Sequence, residues 1–422
     1  MEKKMIHRLA ILILISTSFI ACADNSYKGY VEPNELIEDP TPVMLTVGDP
    51  SFSVETKGSG AIDGSKDDAW NGSLIYIYSF VKDMNSVSYD ITSANNLDIC
   101  LIDGSIDKPG TPLGKEAKIP EIKTLPIMWT GAEQAVFYRP NNIPYDFFAY
   151  YIDEMNIQEM DVLRAPDHIQ MNVTIDGTQD LMSAHAQLTK SQIDEIDTSP
   201  VFTETEKFNI KNNSYSAYTA RRNFQPIMIF RHHLVRLVFK LFAGGVGAND
   251  AIVDSIIIKS KVKGVFTVAS AKGEKMGLDF SGSNEYKELY LKEKNAKGEM
   301  VDLTQDKSHT SYTGDFSEPL YERNGAMVVG ESMLVASDTE YKCLIKMKQY
   351  IEKLGRWKYF TAEADLKAVD AKGEPAPFLP GQQYTVRVAI YGVQKVEIET
   401  PLEPWGQGGN VELDPNDDFF KK

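Results

Sequence analysis

The stretch YTVRVAIY, Tyr384 to Tyr391, decides the fold class. One side of an extended chain would carry Tyr384, Val386, Val388 and Ile390, and the other Thr385, Arg387 and Tyr391. Such a period of two is typical of a half-buried β-strand, and β-branched and aromatic residues favour the same conformation. The preceding FLPGQQ supplies a turn.

Runs of similar character recur along the chain between Gly, Pro, Asn and Asp residues. The first half contains SLIYIYSF, NLDICLI, QAVFYRP and DFFAYYI, and the second half contains AIVDSIIIKSKV, GVFTVAS, YKCLIKMKQYI and KVEIE. Their spacing predicts an all-β sandwich architecture. The longest run, IMIFRHHLVRLVFKLF from Ile227 to Phe242, is predicted to be one long strand. Its charged residues make a membrane span too costly.

Two segments interrupt the strand pattern. DLMSAHAQLTKSQIDEID, Asp180 to Asp197, lacks Gly and Pro and predicts a short helix or an ordered loop. NIKNNSYSAYTARRNFQP, Asn209 to Pro226, is polar and aperiodic, and we place a domain boundary near residue 222 within it. The predicted domains are therefore residues 43–222 and 223–422.

The N-terminus has the pattern of a secretion signal. Basic residues precede an apolar run, Leu9 to Ala21, that is too short for a permanent membrane span. The run ends in SFIAC, which resembles a bacterial lipobox and predicts lipidation at Cys22. Ordinary cleavage near Ala21 is the alternative. We expect residues 1–21 to be a signal peptide and residues 22–42, which are polar and rich in proline, to be an extended tether.

Charge and composition limit the partners. The chain has 422 residues, of which 42% are hydrophobic, and a formal net charge of −16. An excess of acidic residues disfavours nucleic acid and anionic lipid as partners. The two cysteines after Cys22, Cys100 and Cys343, each lie in an apolar run. Two buried thiols and one long-range disulfide both remain open.

No catalytic or metal-binding motif emerges, and we predict neither an enzyme nor a cofactor. His232 and His233 are adjacent in a predicted strand, so their side chains should point to opposite faces and serve structural roles. The glycines of LFAGGVGAND follow a strand but lack a GxGxxG register, which favours a plain turn. Asp103 and Asp107 could hold calcium, although a hairpin turn explains them more simply.

A group of aromatic residues could form a sugar-binding platform. It comprises Tyr145, Phe147, Phe148, Tyr150 and Tyr151. Alternation within one strand explains these residues more simply as core side chains and cross-strand pairs. Glycan binding by a monomeric surface lipoprotein therefore stands as the alternative function.

Five features in order along the chain resemble the fimbrillin family, the lipoprotein-derived pilins of anaerobic Gram-negative bacteria. They are the lipobox-type Cys22, the strand VMLTVGDPSFSVETKG before SLIYIYSF, the segment DGTQDLMSA, the strand FQPIMIFRHHLVRLVFKLFAGG, and the ending LPGQQYTVRVAIYGVQKVEIETPLEPWGQGGNVELDPNDDF. The resemblance covers most of the chain.

The resemblance implies two β-sandwich domains of transthyretin-like topology with minor helical insertions, and no catalysis. It also implies a lipoprotein that reaches the outer membrane and cell surface and joins other fimbrial subunits in a homo- or heteropolymer. In the family, a trypsin-like protease removes an N-terminal segment, and a strand from a neighbouring subunit fills the groove that opens. Stalk, tip and anchor roles, and a host or glycan ligand, remain open.

The family's cleavage position falls at Lys57, before Gly58. The family's protease usually cuts after arginine, but this chain has no arginine between Arg8 and Arg139. Either a protease that accepts lysine cuts here, or the subunit is not processed and keeps its lipid, as an anchor or accessory subunit would. A solvated strand end is the structural alternative for Lys57.

The segment from Lys395 to Phe420 is the predicted donor strand. Its candidate anchoring residues are Val396, Ile398, Trp405, Val411 and Leu413, which include two apolar pairs at alternating positions. A strand of the chain's own second sandwich is the competing assignment for this segment.

Overall fold

The computed structural model describes residues 39–48, 72–82, 90–107, 113–122, 125–131, 135–140, 142–153, 161–244, 251–273, 276–303, 327–369, 375–391, 396–399 and 402–403. Strands predominate in these residues and helices are short, so the predicted all-β fold is confirmed.

Short strands and four helices make up the first half. The strands are β1 Thr41–Pro42, β2 Thr46–Val47, β3 Leu74–Val81, β4 Cys100–Ile102, β5 Lys115–Lys118, β6 Met128–Trp129, β7 Phe137–Tyr138, β8 Tyr145–Ile152, β9 Val162–Arg164, β10 His168–Thr174 and β11 Leu181–His185. The helices among the described residues are α1 Gly104–Asp107, α2 Lys190–Thr198, α3 Glu204–Asn212 and α4 Ala217–Ala220.

The second half consists of strands with two 3₁₀ turns, Ala271–Gly273 and Glu352–Leu354, in its described residues. The strands are β12 Ile227–Met228, β13 Arg231–His232, β14 Val235–Ala243, β15 Ala251–Lys261, β16 Lys263–Ser270, β17 Gly277–Asp279, β18 Tyr286–Tyr290, β19 Lys292–Lys294, β20 Met300–Asp302, β21 Met327–Val335, β22 Glu340–Ile351, β23 Arg356–Val369, β24 Pro375–Ala376, β25 Gln383–Ile390, β26 Val396–Glu399 and β27 Leu402–Glu403.

Two sheets face each other in the second half. One has the order β21-β14-β25-β26, and the other has the order β18-β15-β22-β23-β24. Phe239 and Val386 of the first sheet and Ile258 and Ile345 of the second belong to one hydrophobic core. The shared core makes this pair of sheets a sandwich.

Strand β25, which contains most of the stretch YTVRVAIY, is buried on both faces, so the prediction of a half-buried strand is wrong. Thr385, on the face opposite the main core, is fully buried. On that face Ala389 packs with Phe242, and the Arg387 guanidinium lies 4.7 Å from the centre of the Phe242 ring. β25 pairs with β14 in parallel in the interior of the sheet, a position that is usually covered on both sides.

The largest sheet among the described residues takes all its strands but β13 from the first half, and has the order β13-β11-β8-β3-β5-β6, with β4 on β3. One face contributes Tyr150 to the main core, where Met171 of β10 and Phe266 of β16 also lie. The other face contributes Phe147 to a second core. β10 and β16 pair over seven residues of each strand and so join the predicted halves in one sheet. The predicted two-domain division stays a prediction.

The predicted strand from Ile227 to Phe242 is three strands in three sheets, which corrects the single-strand prediction. β12 pairs with β2, β13 with β11, and β14 with β21 and β25. At the break between β13 and β14, His232 Nδ1 lies 2.7 Å from Asp180 Oδ2, and His233 Nε2 lies 2.7 Å from Ser183 Oγ. These buried polar contacts hold the chain beside β11 before it enters the second sandwich.

The segment from Asp180 to Asp197 contains both a strand, β11, and most of helix α2. A capping box starts α2, because the Thr189 hydroxyl accepts from the Gln192 amide while the Gln192 side chain accepts from the Thr189 amide. Thr203 and Glu206 make the same arrangement at α3. In each pair the cap residue precedes its partner by three positions, a spacing that indicates the start of a helix in the sequence. Helix α3 overlaps the stretch Asn209 to Pro226, for which no helix was predicted.

Candidate strand-exchange site

Residues 39–48 form an extended segment that lies in a groove between parts of the first half and the start of the second. It contains β1 and β2, and β1 includes the last two residues of the predicted tether. Val43, Leu45 and Val47 are buried, whereas Met44 is 41% exposed. Alternation of this kind requires a strand with one side against a core. The buried residues belong to the second core, together with Phe147 and other groove residues.

The groove is closed by backbone hydrogen bonds on both sides of the segment. On one side the Val43 amide donates to the Val136 carbonyl at 2.8 Å, and the Ile127 amide donates to the Leu45 carbonyl at 2.8 Å. On the other side the Thr46 amide donates to the Pro226 carbonyl at 3.2 Å, and the Gly48 amide donates to the Met228 carbonyl at 3.0 Å. The segment therefore occupies an interior position between two partners. Its removal would leave two rows of backbone groups without partners.

The floor of the groove is aromatic and aliphatic. Side chains from separate parts of both halves meet there, and they include Ile127, Tyr138, Phe147, Tyr215 and Met228. Phe147 and Tyr215 are in edge contact, with ring centres 6.2 Å apart. A groove lined in this way favours an occupant with apolar side chains at alternate positions.

Two side chains from the helical region bind the outer side of the segment. Arg221 Nε donates to Thr41 Oγ1 at 3.1 Å, and Arg221 Nη2 donates to the Asp39 carbonyl at 3.0 Å. Gln225 accepts from the Met44 amide at 3.3 Å and donates to the Pro42 carbonyl at 3.3 Å. We call Arg221 and Gln225 the latch. Three of its four hydrogen bonds reach backbone atoms, so a different strand could make those three.

The helical insertion positions the latch. Gln192 of α2 donates to the Gln225 carbonyl at 3.0 Å, and Arg221 is the C-terminal cap of α4. A third core fixes these helices, and it contains Ile196, Ile210 and Tyr218. The sequence predicted no functional site in this region. Neither latch residue carries a local signal, because their partners lie about 180 residues away in the chain.

Most of the predicted site residues lie outside the described residues. This applies to the lipidation residue Cys22, to Lys57 and Gly58, and to Trp405, Val411 and Leu413. Val396 and Ile398 lie in β26, which pairs antiparallel with β25: Val396 is opposite Ile390 and Ile398 is opposite Val388. This strand therefore pairs within its own chain, as the competing assignment had it. The donor role stays a prediction.

The other sequence candidates have structural explanations. Asp103 is buried, and its carboxylate accepts from the Ser105 amide and binds Arg164 Nη2 at 2.5 Å. The aromatic residues considered as a sugar platform are core side chains, with Tyr145, Phe147, Phe148 and Tyr150 buried. Cys100 and Cys343 are buried free thiols.

Within the described ranges, no group of three or more His, Cys, Asp or Glu side chains is arranged to hold a metal ion. No helix in that same part of the chain has the length and apolar character to cross a membrane.

No protein-family model matches the chain, and no curated protein matches it. Several solved structures match the chain. A candidate cell adhesion protein from Bacteroides uniformis is 14% identical with a TM-score of 0.43, over 87% of this chain and 99% of that chain. A second, from Bacteroides ovatus, is 13% identical with a TM-score of 0.42, over 87% of this chain and 99% of that one.

A fimbrial protein is also among the similar structures. The fimbrial anchor protein Mfa2 from Porphyromonas gingivalis is 10% identical with a TM-score of 0.28, over 87% of this chain and 100% of that chain. The chain is thus similar, over most of its length and at low identity, to solved fimbrial and candidate cell adhesion proteins.

Proposed function

We propose that the chain is a structural or adhesive subunit of a surface fimbria. It is exported as a lipoprotein anchored through Cys22, cut after Lys57, and assembled by strand exchange. The observation that carries the proposal is the segment 39–48, which is hydrogen-bonded on both sides and buried on one face within its groove.

The position of Lys57 suits this role. It lies between the groove segment and β3, the next described strand along the chain. A cut there would leave residues 39–48 attached to the lipid end of the chain and held in the groove only by noncovalent contacts. The fold outside the segment would keep its covalent continuity.

The segment is held strongly enough to need both a cut and a competitor. Burial of Val43, Leu45 and Val47 contributes roughly 5–9 kcal/mol, at about 1.5–3 kcal/mol for each aliphatic side chain. The uncut protein should therefore stay closed and monomeric. After the cut, an incoming strand that restores the same apolar contacts and ladder bonds can replace the segment, and head-to-tail replacement generates an open filament.

The C-terminal segment carries the alternation that the groove requires. Val43 and Leu45 occupy alternate positions in the seated strand, and Val411 and Leu413 have the same residues at the same spacing. Val396 and Ile398 offer a second such pair, although they would first have to leave their pairing with β25. We therefore favour residues 411–413 as the part of a donor segment that enters the groove.

Controlled cleavage tests the proposal. The full chain without its signal is treated briefly with trypsin, the new N-termini are identified by mass spectrometry, and products are examined by electron microscopy. We expect an N-terminus at Gly58 and filaments whose amount rises with protein concentration. A cut product that stays monomeric at high concentration would contradict strand exchange.

Substitution in cells separates processing from folding. Lys57→Ala should abolish fimbriae while the chain still reaches the surface, and Lys66→Ala, in the same stretch, is the matched control that should assemble normally. Normal fimbriae from Lys57→Ala would rule out this residue as the processing site. An unprocessed, lipid-anchored wild-type chain at the base of fimbriae would assign it the anchor role instead.

A further inference from the structure

A cavity of about 350 Å³ opens on the sheet β18-β15-β22-β23, and its lining shares no residue with the groove that holds residues 39–48. Its lining includes the polar or aromatic residues Asp254, Tyr290, Asp302, Lys346, Tyr359 and Thr361. Leu291, Leu303 and Met347 supply apolar surface and are themselves buried. Binding sites for small molecules combine such an apolar base with a few polar groups, in volumes of about 300–1,000 Å³.

A β-bulge builds one wall of the cavity. In the β15–β22 pair, Val253 is opposite Met347 and Ser255 is opposite Lys346, so Asp254 is an extra residue with no opposite partner. Bulges redirect side chains and occur next to functional sites more often than elsewhere. The Asp254 side chain is only 15% exposed, and its Oδ1 lies 2.9 Å from Lys348 Nζ. The bulge thus places a largely buried, paired carboxylate in the cavity wall.

Two tyrosine rings line the cavity, and they come from strands β18 and β23, which are separated in the sheet by β15 and β22. Tyr359 of β23 is 70% exposed, and Tyr290 of β18 is 38% exposed. The Tyr290 hydroxyl donates to Glu288 Oε2 at 3.1 Å, which holds that ring in place. Single exposed aromatic residues are common, but two rings on one cavity provide apolar faces beside hydrogen-bonding groups. Flat ligands with both apolar and polar edges fit such a combination.

The charges at the cavity select among ligand classes. Asp254 is paired with Lys348, and Asp302 Oδ1 lies 2.5 Å from Lys292 Nζ. Because both carboxylates already have cationic partners, neither a metal ion nor a second cation is required. A strongly anionic ligand would be repelled by the carboxylates of Asp254 and Asp302. A neutral ligand with many hydroxyl groups could donate to the carboxylates and accept from Lys346 and Thr361.

We propose that this cavity binds a neutral saccharide of one or two rings. The C–H faces of the sugar pack on Tyr359 and Tyr290, and its hydroxyl groups bond to Asp254, Asp302 and Lys346. The site is separate from strand exchange, because its lining contains no residue of the segment 39–48, of its groove or of the candidate donor segment. Saccharide binding would therefore persist in a chain that fails to assemble, and failure of one proposal would leave the other intact.

Ligand-observed NMR tests the site on the full chain without its signal. The probes are glucose, galactose, mannose, N-acetylglucosamine, lactose and cellobiose, each examined by saturation transfer. We expect at least one probe to bind the wild type. Tyr359→Ala should weaken that binding about tenfold, Tyr359→Phe should retain it, and Phe208→Ala, which removes an exposed ring on α3, should leave it unchanged.

Three outcomes would overturn the proposal. The first is that none of the six sugars binds. The second is that Tyr359→Ala binds a sugar as well as the wild type does. The third is a dimer in sedimentation experiments that Tyr359→Ala dissociates, because this face would then be an interface between copies. Circular dichroism of each variant checks that the sheet is intact.

Discussion

Arg221 Nε donates to Thr41 Oγ1 at 3.1 Å, although 180 residues separate them in the chain. The same guanidinium donates to the Asp39 carbonyl, so one side chain of the helical insertion holds the start of the groove segment. Arg221→Ala should remove both bonds, which contribute about 1 kcal/mol each. Hydrogen exchange in residues 39–48, measured by mass spectrometry, should become faster in this variant.

The matched control for Arg221 is Lys211→Ala, which removes an exposed ion pair with Asp197 on the same helical insertion. Exposed pairs contribute little, so exchange in the groove segment should stay at the wild-type rate. Equal exchange in Arg221→Ala and wild type would show that the latch does not retain the strand.

Leu45 should be the main apolar anchor of the groove segment. It is fully buried, so Leu45→Ala should lower the free energy of unfolding by about 2–5 kcal/mol. Met44→Ala removes an exposed neighbour and should change it by less than about 0.5 kcal/mol. Urea unfolding measures the free energy of unfolding of both variants. Equal values for Leu45→Ala and Met44→Ala would contradict the burial of Leu45 in the groove.

His233 should make the protein sensitive to mild acid. Burial, aided by the nearby His232 and Arg231, lowers the pKa of His233 from its ordinary value to about 3. The unfolded chain binds this proton near pH 6.5 and the folded protein only near pH 3. Stability is therefore intact above about pH 6.5 and falls as the pH drops towards about 3.

His233→Gln isolates this effect, because glutamine can still contact Ser183 Oγ but does not titrate. Between about pH 7 and about pH 5, the wild type should lose about 2 kcal/mol more unfolding free energy than the variant. Urea unfolding at both pH values measures the difference. Parallel losses in the two proteins would mean that His233 is not a buried neutral side chain.

Cys100 and Cys343 should resist alkylation in the native protein. Burial is the main cause that raises the pKa of each thiol to about 12, which leaves little reactive thiolate near neutral pH. Iodoacetamide should label both residues only after denaturation, as read by mass spectrometry. A disulfide-linked peptide containing both residues would contradict the free-thiol structure.

Strand content was predictable because it rests on a local pattern. Alternating apolar residues, as in Ile345 and Met347 of β22, mark a strand wherever the chain goes afterwards. The breaks in 227–242 were not predictable in the same way. Nothing in the composition of this run indicates that His232 binds Asp180 and that the chain then changes sheets.

The candidate site was predictable only in part. The sequence indicated a strand that begins at Val43, but gave no sign of Arg221 and Gln225 as the latch. Cleavage at Lys57, which the resemblance implies, stays a prediction. It also directed attention to aromatic residues such as Tyr150 that are core side chains, whereas the exposed Tyr359 belongs to the cavity. A strand pattern states which residues share a face, but burial of that face depends on its neighbours.

The sequence by itself determined the all-β class and indicated the strand that begins at Val43 and the predicted export signal, because each depends on residues close together in the chain. Only the tertiary structure decided which groove holds those residues, that β25 is buried on both faces, and that the bulged Asp254 faces a cavity beside Tyr359. The physical reason is that strand pairing and burial are relations between distant segments, and their energies arise only when those segments meet.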